Sequence, residues 1–113
     1  MAANRLDSVF AALADPTRRA IIERLLAAGE LSVGDVARPI RMSAPAVSRH
    51  LRVLEQAGLI ERRVERQWRY VRARRDALVP VASWLARHRR HWTEALDRLE
   101  GVIAATTAKE RKS

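Results

Sequence analysis

The chain has 113 residues, 48% of them apolar, no cysteine, and 22 Lys+Arg against 13 Asp+Glu, for a formal net charge of +9. That length fits one small domain and argues against an enzyme built from two domains around a cleft, while the limited core area invites a partner subunit to complete it. The missing cysteines exclude disulfides, thiolate metal sites and cysteine nucleophiles. No apolar run approaches the roughly 18 residues of a membrane span, and the start Met1-Ala-Ala-Asn-Arg-Leu-Asp lacks the order of a signal peptide, so a cytoplasmic location without a membrane partner is expected.

Leu6, Val9, Phe10 and Leu13 recur at i, i+3, i+4 and i+7 and predict an amphipathic helix over about residues 4–14. Asp15-Pro16 restarts the chain, because the Asp can cap a second helix whose first position suits a residue without an N–H. Ile21, Ile22, Leu25 and Leu26 form its apolar face, and Gly29 supplies a stop. Ser32-Val33-Gly34-Asp35 has capping-box form and opens a short third helix that ends near Arg38, since Pro39 disfavours helical geometry just before it.

Ser43 is the next cap, Pro45 lies in the first turn, and Val47, Leu51 and Leu54 repeat at helical spacing, which predicts a fourth helix of about 44–57. Gly58 takes the left-handed stop position, with Leu59 folding back on Leu54. The runs 59–64 and 68–73 then suit strands, separated by Glu65-Arg66-Gln67. A hairpin follows, with a loose tip because no Gly or Asn marks the turn, and with Trp68 and Tyr70 in its core.

From Asp76 the period is long and helical. Leu78, Leu85, Trp92 and Leu99 lie seven apart, flanked by Val81, Leu96, Val102 and Ile103, so one helix of roughly 77–104 is expected, with a stripe too long for this small body to cover alone. A second copy of the chain is the simplest cover. The seam would take Leu6, Val9, Phe10 and Leu13 from the first helix and Leu78, Val81, Leu85, Trp92, Leu96 and Leu99 from the last. Residues 1–104 read as a single domain and 105–113 as a polar, disordered tail.

The charge is clustered. Twenty of the 22 basic residues are Arg, and the segment 38–75 holds eleven of them against Glu55, Glu61 and Glu65, a local balance of +8. A third of the chain carrying nearly all the net charge reads as a footprint for phosphate, which the planar Arg fork pairs in bidentate fashion. Two short helices joined tightly and followed by a basic hairpin have the order of a winged helix-turn-helix: mainly α with a small β-hairpin, about five helices in all. Ala37, Ile40, Val47, Leu51 and Leu54 would lock the helix pair. The outer face of the second helix would then be free for the major groove, carrying Ser43, Ala44, Pro45, Ser48, Arg49 and Arg52, with His50 near its edge. Arg49 suits a guanine and Ser48 several base edges, while Ala44 and Pro45 could meet thymine methyls and Arg52 and His50 phosphate. Arg62, Arg63, Arg66 and Arg69 would line the wing. Any one of these Arg residues, taken alone, is as well explained by a solvated or ion-paired surface.

The blocks Ala14-Asp15-Pro16-Thr17-Arg18-Arg19, 30–37 and 43–60 resemble the ArsR family of bacterial winged-helix repressors, over about residues 6–104. The resemblance implies a homodimer joined by its first and last helices that binds a palindromic operator in double-stranded DNA and represses transcription, often of its own or an adjacent gene. The last helix, with 84–87 and 92–99, is similar to members without a cysteine metal site, such as the SdpR-like group. Ser32 and Gly34 stand where metal-sensing members place cysteines, so no metal or other cofactor is expected. His88, His91 and Glu94, at i, i+3 and i+6, could ligate a metal, but they only half reproduce the family's histidine and carboxylate site, and a histidine packed at the seam explains His88 as well.

Other classes fare worse. Ser48 and His50 lie two apart on a helix, face different directions and make no nucleophile and base pair, so no enzyme is expected. A non-specific nucleoid protein shares the charge but predicts no preferred half-site spacing. RNA recognition would want exposed stacking aromatics, and an interaction module would take a different partner on the last helix.

Overall fold

The computed structural model describes residues 2–112. Its elements are α1 (Ala2–Leu13), α2 (Pro16–Ala28), β1 (Glu30–Ser32), α3 (Val33–Ala37), α4 (Ala44–Gln56), β2 (Ile60–Glu65), β3 (Trp68–Ala73), α5 (Val79–Arg87) and α6 (Arg89–Lys112). They divide into two compact units, one running to Val81 and one from Ala82 onward, where the sequence led us to expect one domain ending near 104.

In the first unit α2, α3 and α4 start where their caps dictate. The Asp15 carboxylate accepts the Arg18 N–H at 3.0 Å, Ser32 Oγ that of Asp35 at 3.1 Å, and Ser43 Oγ that of Ala46 at 3.3 Å, satisfying donors the first helical turn leaves open. Gly58, at φ 76°, ends α4. Its left-handed turn brings the Leu59 N–H to the Leu54 carbonyl at 3.0 Å and both leucine side chains into the core, as the sequence predicts.

The core joins all these elements. Val9 and Ala12 of α1, Ile21 and Leu25 of α2, Val36 of α3, Val47, Leu51 and Leu54 of α4, and Ile60 and Val71 of the sheet are all buried. Full burial of a leucine such as Leu51 contributes about 1.5–3 kcal/mol. Ala37 and Ile40 pack against this cluster, so the five residues expected to lock the helix pair do meet. Val9, expected at a dimer seam, is 1% exposed and belongs to the core of its own chain. Leu13 and Val81 also pack partly against that core.

The sheet has three antiparallel strands in the order β1-β3-β2. β1 escapes the sequence reading because three residues leading into a helix cap show no alternation. The hairpin is tighter than expected: Glu65 pairs with Trp68, leaving only Arg66 and Gln67 in the turn. Arg66 supplies the positive φ of 58° that Gly or Asn would usually provide. Trp68, expected in the hairpin core, is 56% exposed, because it lies at the turn end of β3 and, three residues from Val71, projects from the face opposite the one that buries Val71. Tyr70 is only half-buried.

In the second unit, the single helix expected over 77–104 is interrupted at His88, which makes six helices among the described residues rather than five. The cause is local. The imidazole Nδ1–H donates to the Trp84 carbonyl at 2.9 Å, the acceptor His88's own N–H would take in a regular α-helix. That N–H bonds Leu85 O instead, at 3.0 Å. α6 then runs to Lys112, so residues 105–112, expected as a disordered tail, are helical. Leu85, Trp92, Leu96, Leu99, Val102 and Ile103 are all exposed.

Candidate nucleic-acid interface

α4 presents two faces. Val47, Leu51 and Leu54 point into the core, and the opposite stripe carries Pro45, Ser48, Arg49 and Arg52, all exposed, with Ser43 and Ala44 exposed at its start. The helix is held from behind. Arg24 of α2 donates to the carbonyls of Asp35 and Val36, both at 2.9 Å, tying the end of α3 to α2 and fixing the pair against which α4 packs.

His50 does not belong to the exposed stripe. Its Nδ1 lies 3.3 Å from Arg18 Nη1 and 3.9 Å from the Asp15 carboxylate, and its side chain is largely covered. Its turn faces α2 because 100° per residue places it beside the buried positions 47, 51 and 54. His50, expected to meet phosphate, is engaged within the chain by Arg18 and Asp15. Arg18 also donates to Ala12 O at 2.6 Å and Ala11 O at 3.2 Å, and Arg19 to Leu13 O at 2.8 Å, which satisfies the open carbonyls at the end of α1. The run Ala14 to Arg19 is thus a joint: a cap for α2 and a clasp for α1. The Arg18 N–H holds the Asp15 carboxyl below the usual carboxylate range.

The basic segment sorts into two groups once carboxylates outside it are included. Arg38 pairs with Asp35, Arg62 with Glu55, Arg72 with Glu61 and Arg74 with Asp76. Arg63 is the most heavily engaged: 2.8 Å from Glu30, 2.7 Å from Glu65, and stacked 4.7 Å from the centre of the Tyr70 ring. Its hydrogen bonds hold the Glu30 carboxyl below its ordinary range and the guanidinium still further above its own. Arg63, expected on the wing's contact surface, instead fastens β1 to the hairpin. Arg41, Arg49, Arg52, Arg66, Arg69 and Arg75 have no carboxylate partner among the described residues. Arg41, in the turn before α4, and Arg75 were not singled out in the sequence, since neither sits at a patterned position.

The three metal candidates are not brought together. His88 is bonded to Trp84 O, His91 sets its edge against Trp92 at 5.3 Å, and Glu94 pairs with Arg90 at 3.4 Å. No cluster of three His, Cys, Asp or Glu suited to a metal ion occurs among the described residues, and none of the helices described is long and apolar enough to cross a membrane.

A capped helix pair, an outward basic helix face and a hairpin beside it define a winged helix-turn-helix protein. Residues 13–63 match the helix-turn-helix domain family. The chain is 35% identical over 80 residues to the transcriptional repressor SdpR of Bacillus subtilis, covering 71% of this chain and 88% of that protein. It is 57% identical over 54 residues to the HTH-type transcriptional regulator Rv2034 of Mycobacterium tuberculosis, where the match spans 48% of this chain and only half of that protein. Among solved structures, an ArsR family transcriptional regulator superposes with a TM-score of 0.72 at 33% identity, covering 80% of this chain and 92% of that one. A homodimeric winged helix-turn-helix DNA-binding domain from Mycobacterium bovis gives 0.60 at 31%, covering 73% and 81%. The chain belongs to the ArsR family of winged helix-turn-helix transcriptional regulators.

Proposed function

We propose that the chain is a homodimeric repressor that reads a palindromic operator, with α4 in the major groove and the wing tip on the adjacent backbone or minor groove. The observation that carries this reading is the placement of the arginines without a carboxylate partner among the described residues: Arg41, Arg49 and Arg52 on and before the exposed face of α4, and Arg66 and Arg69 at the tip of the hairpin. Arg49 is the guanine reader, Ser48 a second base contact, Ala44 and Pro45 the apolar contacts, and Arg52, Arg66 and Arg69 the phosphate contacts. Arg62, tied to Glu55, anchors the wing to α4.

Self-association is supported by the exposed stripe Leu85, Trp92, Leu96 and Leu99 of the second unit, by the exposure of Phe10 and Leu78 in the first, and by the homodimeric relative from M. bovis. A DNA ligand places its work in the cytoplasm, where prokaryotic genomes lie. The reading assigns no catalytic role and no cofactor.

Selection of duplexes from a random pool tests it. The expected result is a two-fold-related consensus with half-sites about 34 Å apart. Arg49→Ala should cost about 1–3 kcal/mol and relax one base position in each half. Retention without any consensus would replace the reading by a non-specific DNA-coating protein.

A further inference from the structure

The wing tip carries an apolar surface that the phosphate contacts leave unexplained. Trp68 is 56% exposed and Val64 67%, on opposite faces of the same hairpin end. A tryptophan left this open at the tip of a two-stranded ribbon sits where a partner can cover it. The chemistry around it selects that partner. Along the base of the hairpin every arginine is matched: Arg62 to Glu55, Arg63 to Glu30 and Glu65, Arg72 to Glu61. Only beyond that neutralised base do Arg66, in the turn, and Arg69, on the other face of the ribbon beside Val64, stand without a carboxylate partner among the described residues, while Glu65, across from Trp68, is held by Arg63. The tip therefore has an exposed ring on one face and arginines in the turn and on the other, and the surface that complements both faces of such a ribbon end is anionic with apolar edges.

We infer that Trp68 packs its ring on the deoxyribose and base edges of the minor groove next to the site read by α4, a wedge whose fit depends on groove width and on how easily the local base step opens. The inference rests on the proposal that duplex DNA is the ligand. The reach is sufficient. Each strand has six residues, about 20 Å, enough to carry the tip across the backbone that borders a major groove about 12 Å wide. The Arg62 to Glu55 pair keeps the base of the ribbon on α4, so the tip is delivered to a fixed place relative to the recognition face. The positive φ of Arg66 sharpens the turn and leaves the Trp68 ring next to the end of the ribbon.

The test uses the full chain and the duplex it selects from a random pool. Trp68→Ala should weaken binding at least about fivefold, by the same factor at 50 and 200 mM salt, because the contact is not a phosphate neutralisation, and Trp68→Phe should recover most of the loss. The part of the emission missing from Trp68→Phe should be quenched or shifted when the duplex is added to wild type. A repeat selection with Trp68→Ala should lose the base preference flanking each half-site. Wild-type affinity in Trp68→Ala together with unperturbed Trp68 emission would overturn the inference, as would a loss that appears in self-association rather than in DNA binding. Failure to select any duplex refutes DNA recognition as a whole. A selected duplex indifferent to Trp68 refutes the wedge alone.

Discussion

Arg63→Ala and Arg66→Ala remove the same charge from the same hairpin, yet they should act on DNA binding in different ways. Arg66 has no carboxylate partner among the described residues, whereas Arg63 is held between Glu30 and Glu65. If Arg66 neutralises one phosphate per protomer, the variant dimer loses two contacts. Each contact carries about 0.9 in the slope of log affinity against log salt, so the slope should become shallower by about 1.8. Between 50 and 200 mM salt the advantage of wild type over Arg66→Ala should then shrink about 12-fold. Arg63→Ala should leave the slope within one contact of wild type and instead lower the melting temperature, because it unfastens β1 from the hairpin. Fluorescence anisotropy on the selected duplex at four or five salt concentrations, with thermal melts of each variant, gives both readouts. Equal changes of slope in the two variants would refute the division of the wing into a neutralised base and a contacting tip.

Arg66→Gly should share the salt behaviour of Arg66→Ala but raise stability by about 1 kcal/mol, since Gly adopts the left-handed turn without the penalty an L side chain meets; the melting temperatures of the two variants separate strain from charge. Leu85→Glu should shift the chain to monomer in sedimentation and cost operator affinity with it, whereas Val9→Glu should unfold the chain, because Val9 is core; a folded Val9→Glu would contradict the packing. Asp15 and Glu30 both have lowered folded-state pKa values, so their contribution to stability is complete above the ordinary carboxylate range near pH 4 and fades as pH falls through the lowered values. Acid titration of Glu30→Gln should lack part of that loss, and an unchanged acid profile would contradict the Glu30 assignment.

Where local chemistry decides the outcome, the sequence was explicit. Asp15-Pro16, Ser32 and Ser43 each start a helix, and Gly58 with Leu59 ends α4, because caps act within a turn of the residue that supplies them. The exposed stripe of α4 was legible for the same reason: helical periodicity separates Ser48, Arg49 and Arg52 from Val47, Leu51 and Leu54. What depended on distant partners was not legible. Arg63 looks like Arg66 until Glu30, 33 residues away, closes on it, and Val9 looks like Phe10's neighbour on a seam until α2 and α4 enclose it. His50 reads as an edge residue until Arg18 reaches it from α2. The break at His88 was hidden because the heptad spacing continues through it, while a side chain takes over one backbone hydrogen bond.

The Arg18 guanidinium binds two carbonyls of α1, grows from the first turn of α2 and touches His50 on α4. Three helices thus meet at one planar group, much as three plates meet at a rivet. Any tilt of α1 must bend that group's contacts before it can leave α4 in place. The orientation of the reading helix is therefore indexed to α1, and in an assembly that uses α1 at its seam the distance between two reading helices becomes a property of the whole plate rather than of a flexible linker.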